Sequence, residues 1–212
     1  MDFADDPEKL NALKSNGRYF YIDRKKHWFV VAEDGSCALF DKDYNIDDLS
    51  KVKEITNEMI RKDIKCINIP GSVKSIREKA FAGDESLKSI NIPDSVESIG
   101  YQSFAYCTSL ERIIIPDSVE WIADDTFVHC ESLKSINIPD SVKSIGDFAF
   151  FYCKSLISIN IPNSVKNIGY RAFFSCKSLK EVIFKGKTLA QVKSMNDYPW
   201  GINDESIIKT EL

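Results

Sequence analysis

The chain is poor in the residues and motifs that most enzymes use. It has 2 histidines among 212 residues. It contains no P-loop, no Gly-x-Ser-x-Gly motif and no His-Glu-x-x-His motif, which serve phosphate binding, acyl transfer and zinc chemistry respectively. We therefore predict that the protein is not an enzyme and that it has neither catalytic nor cofactor-binding residues.

Long apolar runs and a strong excess of one charge are also absent. No apolar stretch approaches the roughly 18 residues that a transmembrane helix needs, so none is predicted. The first residues, MDFADDPEKL, are acidic and lack the apolar stretch of a secretory signal. A net charge of −4 gives no overall attraction to nucleic acid or to a membrane surface. These features predict no nucleic-acid partner and no membrane insertion, and they leave the location of the protein open.

The chain has instead a 23-residue unit, clearest at residues 87–109 as LKSINIPDSVESIGYQSFAYCTS. A fixed period of this length is typical of a solenoid, in which each unit buries its apolar side chains against its neighbours. Further copies begin at Ile64 in looser form, at Leu110, at Leu133, at Leu156 and, truncated, at Leu179. The positions that recur are those of Leu87, Ile90, Ile92, Pro93, Val96, Ile99, Phe104 and Cys107.

Each part of the unit indicates a local structure. The alternation Ile-x-Ile is typical of a strand with two inward side chains, and proline then ends the strand because it has no N–H group for the ladder. The Asp-Ser or Asn-Ser pair that follows is typical of a turn, and Val-x-x-Ile-Gly predicts a return segment. The Ala-Phe-x-x-Cys part has the spacing of one helical turn and places its phenylalanine in the core. The predicted fold is an α/β repeat solenoid with short parallel strands.

The unit L-x-x-I-x-I-P-x-S-V-x-x-I-G-x-x-A-F-x-x-C-x-S resembles the BspA-like leucine-rich repeat of bacterial and protozoan surface proteins. The resemblance covers residues 64–185. It implies a curved, right-handed leucine-rich-repeat coil with its short parallel strands on the concave face. Members are often adhesins or host-interaction proteins, so the resemblance also implies a location at the cell surface. The family has no catalytic motif that this chain would share.

The segments on either side of the repeats are predicted to cover the ends of the solenoid, because an open end exposes core side chains. We place an N-terminal α+β cap at residues 1–51, the solenoid at residues 52–187 and a C-terminal cap at residues 188–212. Residues 1–17 have the signals of a helix, and residues 18–40 fit two hairpins or a three-stranded meander. A small separate domain with its own activity is the alternative for this first segment.

Two less regular stretches adjoin the clear repeats. Residues 52–63 predict a worn repeat, in which Val52 and Ile55 copy the Val-x-x-Ile pattern. Residues 188–195 predict a short helix with Leu189 and Val192 turned inward. Trp200 is predicted to cover the last layer of the core, and the alternative is an exposed aromatic used for recognition.

Four cysteines recur once per repeat, at Cys107, Cys130, Cys153 and Cys176. Free cysteine is usually buried and packs as a small hydrophobe, and this is our interpretation of the column. Neighbouring repeats bring the Cα atoms near the separation of a disulfide, although parallel cysteines on successive repeats orient badly for one. The chain has no Cys-x-x-Cys pair, and only His129 lies beside one of these cysteines, so we predict no metal site.

The third repeat departs from its neighbours on the surface. Arg112 and Ile114 stand on the outward side of a strand where most copies have serine and asparagine, and Trp121 stands where the other copies have serine or asparagine. Arginine and tryptophan are enriched at binding hot spots. A plainly solvated ladder is the alternative, and Trp121 is expected on a different face from the other two. The predicted partner-binding residues in and around this repeat are Arg112, Ile114, Trp121, His129, Asn91 and Asn137.

An aromatic stripe is the second candidate surface. Tyr106, His129 and Tyr152 occupy one position of successive repeats and are predicted to share the edge or convex side. They represent either packing between turns or an exposed stripe that holds a glycan or a protein.

Charge is distributed unevenly along the repeats. Residues 64–132 contain 6 basic and 11 acidic residues, whereas residues 133–187 contain 9 basic and 3 acidic residues. This is either ordinary surface variation or a dipolar rod that stacks head-to-tail or attracts an acidic partner.

Two functions from different classes are consistent with these features. The first is an adhesin-like or host-interacting recognition module that binds a protein or glycan partner through the solenoid surface. The second is a structural component that uses the repeats as a spacer and the caps for association, which includes self-association. Substitutions on the surface of repeat three would abolish the first function, and loss of a cap would abolish the second.

Overall fold

The computed structural model describes residues 18–22, 28–32, 37–40, 54–55, 65–69, 71 and 73–212. The first three strands, β1 (Arg18–Ile22), β2 (Trp28–Ala32) and β3 (Cys37–Phe40), form an antiparallel sheet in the order β1-β2-β3. This is the three-stranded meander that the sequence predicts. The predicted helix at residues 1–17, Val52 of the worn repeat and residues 56–64 lie outside the described residues.

The repeats form a parallel β-solenoid of about six turns with two strands per turn. The longer strands are β5 (Cys66–Asn68), β7 (Ser89–Asn91), β9 (Arg112–Ile114), β11 (Ser135–Asn137), β13 (Ser158–Ile161) and β15 (Glu181–Lys185). The shorter strands are β4 (Glu54–Ile55), β6 (Ser75–Ile76), β8 (Ser98–Ile99), β10 (Trp121–Ile122), β12 (Ser144–Ile145) and β14 (Asn167–Ile168). We call their outer surfaces the long-strand face and the short-strand face, and the third side, which carries the Ala-Phe-x-x-Cys segments, the turn face.

The strands pair one repeat apart, so equivalent residues stack. On the long-strand side, Ile90 pairs with Ile113, and Ile113 pairs with Ile136. On the short-strand side, Ile55 pairs with Ile76, which places the worn repeat in register with the clear ones. Every described leucine, isoleucine, valine, phenylalanine and cysteine of the recurring columns is buried except Leu179 and Cys176, which lie at the C-terminal end of the repeats. The register predicted from the sequence is therefore confirmed.

A ladder of phenylalanine rings runs through the core. Phe104, Phe127 and Phe150 are fully buried, and their ring centroids stack at 5.5 Å from one repeat to the next. Phe81 and Phe173 continue the ladder at 5.0 and 5.6 Å. Because each ring contacts the ring above and the ring below, the ladder couples all five repeats into one core.

The Ala-Phe-x-x-Cys segments are tight turns and not the helical turns that their spacing predicts. In the repeat at residues 87–109 the N–H groups alternate: Ser103 and Ala105 donate to carbonyls three residues back, whereas Phe104 and Tyr106 donate to carbonyls of the next repeat. An α-helix uses all of its interior N–H groups internally, so it cannot supply these bonds between repeats. Two residues per segment therefore adopt positive φ, as Gln102 and Tyr106 do at 53° and 61°. The helical part of the predicted α/β class is wrong, because the described chain is nearly all strand and turn.

The close approach of successive coils leaves no room for a side chain at Gly146, which stands in the Val-x-x-Ile-Gly position of its repeat. A Cβ atom added at Gly146 would lie 2.6 Å from the Asp124 backbone nitrogen and 2.8 Å from the Ala123 carbonyl carbon. At Gly71, in the turn after a long strand, an added Cβ atom would meet nothing within 4 Å. The two glycines thus differ in the room that they leave for a side chain, so substitutions at both positions test the spacing of the coils.

We expect Gly146→Ala to lower the free energy of unfolding by about 1–3 kcal/mol, because the coils must separate to admit the methyl group. Urea unfolding followed by circular dichroism measures this difference. Gly71→Ala is the control and should change the stability by less than about 0.5 kcal/mol, as surface substitutions usually do. Equal effects of the two substitutions would contradict the coil spacing described above.

The C-terminal segment returns to the end of the solenoid. Helix α1 (Leu189–Lys193) begins at the capping box of Thr188 and Gln191 and buries Val192, as predicted. The inward placement of Leu189 is wrong, since its side chain is 44% exposed; in so short a helix only one position faces the core. Trp200 is fully buried with its ring 5.4 Å from that of Phe184. Strand β16 (Ile208–Glu211) then pairs in parallel with β15.

Candidate recognition surfaces

Repeat three places an apolar and a cationic side chain together on the long-strand face. Arg112 and Ile114 both point outward from β9, and Ile114 is 68% exposed. The strand register sets Arg112 between Ser89 and Ser135. Ile114 pairs with the exposed Asn137. The two side chains therefore interrupt the small, polar surface that the adjacent repeats present on this face.

Asn91 and Trp121, which are also predicted site residues, lie on different faces of the solenoid. Asn91 is exposed at the end of β7, on the same face as Ile114. Trp121 is 46% exposed but belongs to β10, where it pairs with Ser144. The structure thus groups Asn91, Arg112, Ile114 and Asn137 on one face and separates Trp121 from them, on the short-strand face.

The turn face carries a stack of three rings. The His129 ring lies 4.8 Å from that of Tyr106, at an interplanar angle of 9°, and 4.7 Å from that of Tyr152, at 22°. Tyr106 is 51% exposed, and the His129 side chain is 26% exposed. We call these three residues the aromatic stack. The predicted alignment of the three rings is what the structure shows, and the rings are packed against one another and also reach the surface.

Two charged side chains that the sequence analysis did not single out border the aromatic stack. A Glu131 carboxylate oxygen lies 3.5 Å from His129 Nδ1 and 2.8 Å from Lys154 Nζ. The Lys154 hydrogen bond, aided by His129, lowers the pKa of Glu131. Lys154 also lies 5.6 Å from the centroid of the Tyr152 ring. The sequence could have indicated this pair, because Glu131 and Lys154 occupy equivalent positions of successive repeats, two residues after His129 and Tyr152.

A second group of rings lies beside the stack. Phe151 packs 5.3 Å from Phe174 and 4.8 Å from Tyr152. The Arg171 guanidinium lies 5.0 Å from the Tyr170 ring and 5.1 Å from the Phe174 ring. These rings therefore pack against one another and against Arg171, both within and between repeats.

Three ion pairs join the third repeat to the fourth, where the charge balance changes sign. Their nitrogen–oxygen distances are 2.9 Å for Lys134–Glu111, 2.8 Å for Lys143–Glu120 and 2.8 Å for Lys154–Glu131. The hydrogen bond from Lys134 lowers the pKa of Glu111. The acidic and basic side chains therefore neutralise one another where the two regions meet. The excess of acidic residues remains toward the N-terminal end of the repeats, and the excess of basic residues toward the C-terminal end.

The cysteine column is a ladder of thiols inside the core. Cys107, Cys130 and Cys153 are fully buried, Cys176 is half-buried, and none of the four forms a disulfide. Each thiol donates a hydrogen bond to a phenylalanine carbonyl of the preceding repeat, as from Cys130 to Phe104 at 3.1 Å. Burial raises the pKa of Cys130 and Cys153 well above its usual value and that of Cys176 to about 12. Within the described part of the chain, no three His, Cys, Asp or Glu residues converge in a way that would hold a metal ion.

A cavity of about 300 Å³ lies at the end of the solenoid. It separates the last turn segment from residues 201–207, and it is lined by Phe173, Cys176, Leu179, Ile202 and Asp204 among others. The cavity explains why Leu179 and Cys176 are less buried than their counterparts, since no complete repeat follows them.

In the regions that the structure describes, no helix has the length and apolar character needed to cross a membrane.

Comparison with known structures places this geometry in a family of folds. A leucine-rich repeat protein of T. pallidum is 30% identical, with a TM-score of 0.58, over 76% of this chain and 69% of that protein. A leucine-rich repeat protein of Bacteroides ovatus is 26% identical, with a TM-score of 0.53, over 80% of this chain and 48% of its own length. The pneumococcal vaccine antigen PcpA shares the fold at 21% identity, with a TM-score of 0.53, over 79% of this chain and 50% of its own. This chain thus spans about half the length of the last two proteins.

The sequence itself matches a family of repeats. No curated protein matches the chain. Residues 53–180 match the BspA type leucine rich repeat region in 6 copies. Since the matched residues make up more than half of the sequence, the chain belongs to the BspA-type leucine-rich repeat family.

Proposed function

We propose that the protein is a non-enzymatic recognition module that binds a protein partner through the long-strand face of repeat three. The observation that carries the proposal is the exposure of Ile114, at 68%, beside Arg112 and between two neighbouring repeats that carry serine and asparagine on this face. The leucine-rich-repeat solenoid is a typical non-enzymatic scaffold, and the family often mediates protein interactions. An adhesin-like role at a cell surface is part of the proposal and is supported by the family alone.

Exposure of the Ile114 side chain to water is energetically unfavourable. An isoleucine side chain gains about 1.5–3 kcal/mol when it is moved from water into an apolar environment. Its neighbours Asn91 and Asn137 are polar and exposed, so repeats two and four offer it no apolar cover on this face. Arginine adjacent to an apolar anchor is a frequent composition of binding hot spots. A partner that covers Ile114 and pairs with Arg112 would gain from both.

The size of the long-strand face also suits a protein partner. Strands spaced by about 4.8 Å make a face of six strands roughly 25–30 Å long. A standard protein interface buries about 800 Å² on each side, so a partner that covers this face would also contact the adjoining turns. The face is regular because each strand is held in parallel register by its neighbours, so binding requires little ordering of the backbone.

We further propose that residues 1–51 and 188–212 cap the two ends of a right-handed coil. Support at the N-terminal end comes from β3, whose Cα atoms approach those of β5 within 8 Å. Support at the C-terminal end comes from Trp200, which is buried against Phe184. Right-handed connection is the rule for parallel strands within one sheet.

The test is a pull-down from the native source and from host material, with mass spectrometry of the captured proteins. We expect the wild-type protein to hold a partner that the double variant Arg112→Ala, Ile114→Asn releases, because both anchors are removed from one face. The matched control is Trp121→Ser, which replaces an exposed side chain of the same repeat on the short-strand face and should leave capture unchanged. Circular dichroism of each variant confirms the fold.

Two other outcomes would count against this site. A partner held equally by the wild-type protein and the double variant would exclude the long-strand face of repeat three as the binding surface. Capture of the protein's own copies alone, weakened at high salt, would favour the assembly function instead. The segregation of charge toward the two ends is the observation that supports that second function.

A further inference from the structure

The aromatic stack ends abruptly at the second repeat. The position that holds Tyr106, His129 and Tyr152 in successive repeats is occupied by Gly83 in the repeat before them. Gly83 has no side chain to cover the Tyr106 ring, and Tyr106 is 51% exposed. The ring therefore has one face against His129 and an open face on the side of Gly83.

His129 shows what the stack accommodates at an interior position. Its imidazole lies between the faces of two tyrosines at 4.8 and 4.7 Å. Its Nδ1 atom lies 3.5 Å from a carboxylate oxygen of Glu131, two residues further along the chain. The interior position thus combines a planar nitrogen-containing group, aromatic faces and an adjacent carboxylate.

The repeat at Gly83 has an aromatic ring on one side and a glutamate at the equivalent position, but no planar group of its own. Glu85 is exposed and stands two residues after Gly83, as Glu131 stands after His129. The backbones correspond as well: Gly83 and His129 have φ values of 69° and 58°. Their N–H groups donate to carbonyls of the following repeat at 2.7 and 2.8 Å. Gly83 therefore marks a vacant place in the stack, bordered by a tyrosine face and a carboxylate.

We propose that this vacant place binds the guanidinium group of an arginine side chain from a protein partner. A guanidinium is planar and permanently charged, and it stacks on aromatic faces as the His129 ring does. Its N–H donors also form a fork that matches a carboxylate, which Glu85 supplies. A lysine ammonium would reach the carboxylate but would not reproduce the stacked plane, and a neutral sugar would leave the carboxylate without an opposite charge.

The arginine site is separate from the surface proposed for repeat three. It lies on the turn face of repeats one and two, whereas Arg112 and Ile114 lie on the long-strand face of repeat three. The surface on the long-strand face is itself cationic at Arg112, so the two sites select different chemistry. The arginine site can therefore be tested alone with a small probe, and its failure would leave the long-strand face unaffected.

The test is a titration of the ¹⁵N-labelled full chain with N-acetyl-arginine amide, followed by nuclear magnetic resonance. We expect the amide signals of Gly83, Ala105 and Tyr106 to shift in a saturable way. N-acetyl-citrulline amide, which has nearly the same shape without the charge, should leave these signals in place. Glu85→Gln should weaken binding of the arginine probe about two- to fivefold, as expected for the loss of an exposed ion pair.

Two variants remove the site in opposite ways. Tyr106→Ala takes away the ring face, and Gly83→His fills the vacant place with a side chain of the protein itself; each should abolish the shift of the Ala105 signal. Histidine fits the backbone at this position, since His129 adopts a similar φ. Equal shifts with the citrulline probe, or an unchanged response of Gly83→His to the arginine probe, would overturn the proposal.

Discussion

Phe127→Ala is expected to lower the free energy of unfolding by about 3–5 kcal/mol, the range typical of a large aromatic side chain removed from a core. Phe127 is fully buried, and its ring stacks at 5.5 Å on Phe104 on one side and on Phe150 on the other. Its removal leaves a cavity between two rings whose positions are fixed by the repeats above and below. The backbone has little room to collapse into that cavity, because the turn segments are hydrogen-bonded from repeat to repeat.

The measurement is urea unfolding of the wild-type protein and the variant, monitored by circular dichroism. Glu120→Ala in the same repeat is the control, because the Glu120 side chain is 50% exposed and its ion pair with Lys143 is a surface contact. Such pairs contribute about 0–1 kcal/mol, so the control should be nearly neutral. Comparable small effects of both substitutions would show that the phenylalanine column is not the centre of the core.

Stability in a solenoid is transmitted only between neighbouring repeats, which makes the position of Phe127 important. In such proteins each repeat contributes its own stability and an interface term with each neighbour. Phe127 lies in the middle of the ladder and takes part in two of these interfaces. The repeat that carries it also makes the three ion pairs to the fourth repeat. Loss of the ring is therefore expected to weaken the link between the acidic and the basic half of the repeats.

The sequence predicts the core of this protein well because the repeat states each requirement several times. Ile90, Ile113 and Ile136 occur at one position of the unit, and only a buried strand position explains the recurrence. The parallel register follows from the same fact, since equivalent residues of a solenoid stack on one another. Even the worn repeat was placed correctly through Ile55, which pairs with Ile76 and is fully buried.

The turn face is the part that the sequence could not predict. Positive φ is usually signalled by glycine or asparagine, but here it falls on residues such as Lys79, Gln102 and Tyr106. The bonds between repeats impose this conformation, so the cause lies in the neighbouring coil and not in the local sequence. The hydrogen bonds from the thiols to phenylalanine carbonyls escaped prediction for the same reason, because donor and acceptor belong to different repeats.

The candidate surfaces could be predicted only where equivalent positions of successive repeats share a residue type or where one repeat departs from the others. The alignment of Tyr106, His129 and Tyr152 gave the aromatic stack, and the exception at Arg112 and Ile114 gave the long-strand surface. The column does not show that the ring of Tyr106 keeps one face open, because this depends on the spacing of the coils and on the exposure of the ring. The proposed site at Gly83 therefore depends on the structure, because the missing side chain matters only beside the exposed ring of Tyr106.

The thiol ladder leads to a large expected effect of alkaline pH on stability. A thiol with a raised pKa stays protonated in the folded protein, whereas in the unfolded chain it ionises near its ordinary pKa of 9.0. The stabilising contribution is thus fully present below about pH 9, and it is lost as the pH rises toward the folded-state pKa, about 12 for Cys176. In this window each such thiol lowers the free energy of unfolding by about 1.4 kcal/mol for every unit by which the pH rises. Cys130, Cys153 and Cys176 together should therefore remove about 4 kcal/mol per pH unit above pH 9.

The slope of stability against pH is the quantity to measure, by urea unfolding between about pH 8 and pH 10.5 with a reductant present. Cys153→Ala is expected to lower the stability at neutral pH, because a buried group is lost, and to reduce the alkaline slope by about 1.4 kcal/mol per pH unit. Tyr198, whose pKa is raised to about 12 by burial and by its hydrogen bond to Glu205, titrates equally in both proteins and cancels in the comparison. An identical alkaline slope in the wild-type protein and Cys153→Ala would show that the Cys153 thiol already ionises freely in the folded protein, contrary to its burial between two phenylalanine layers.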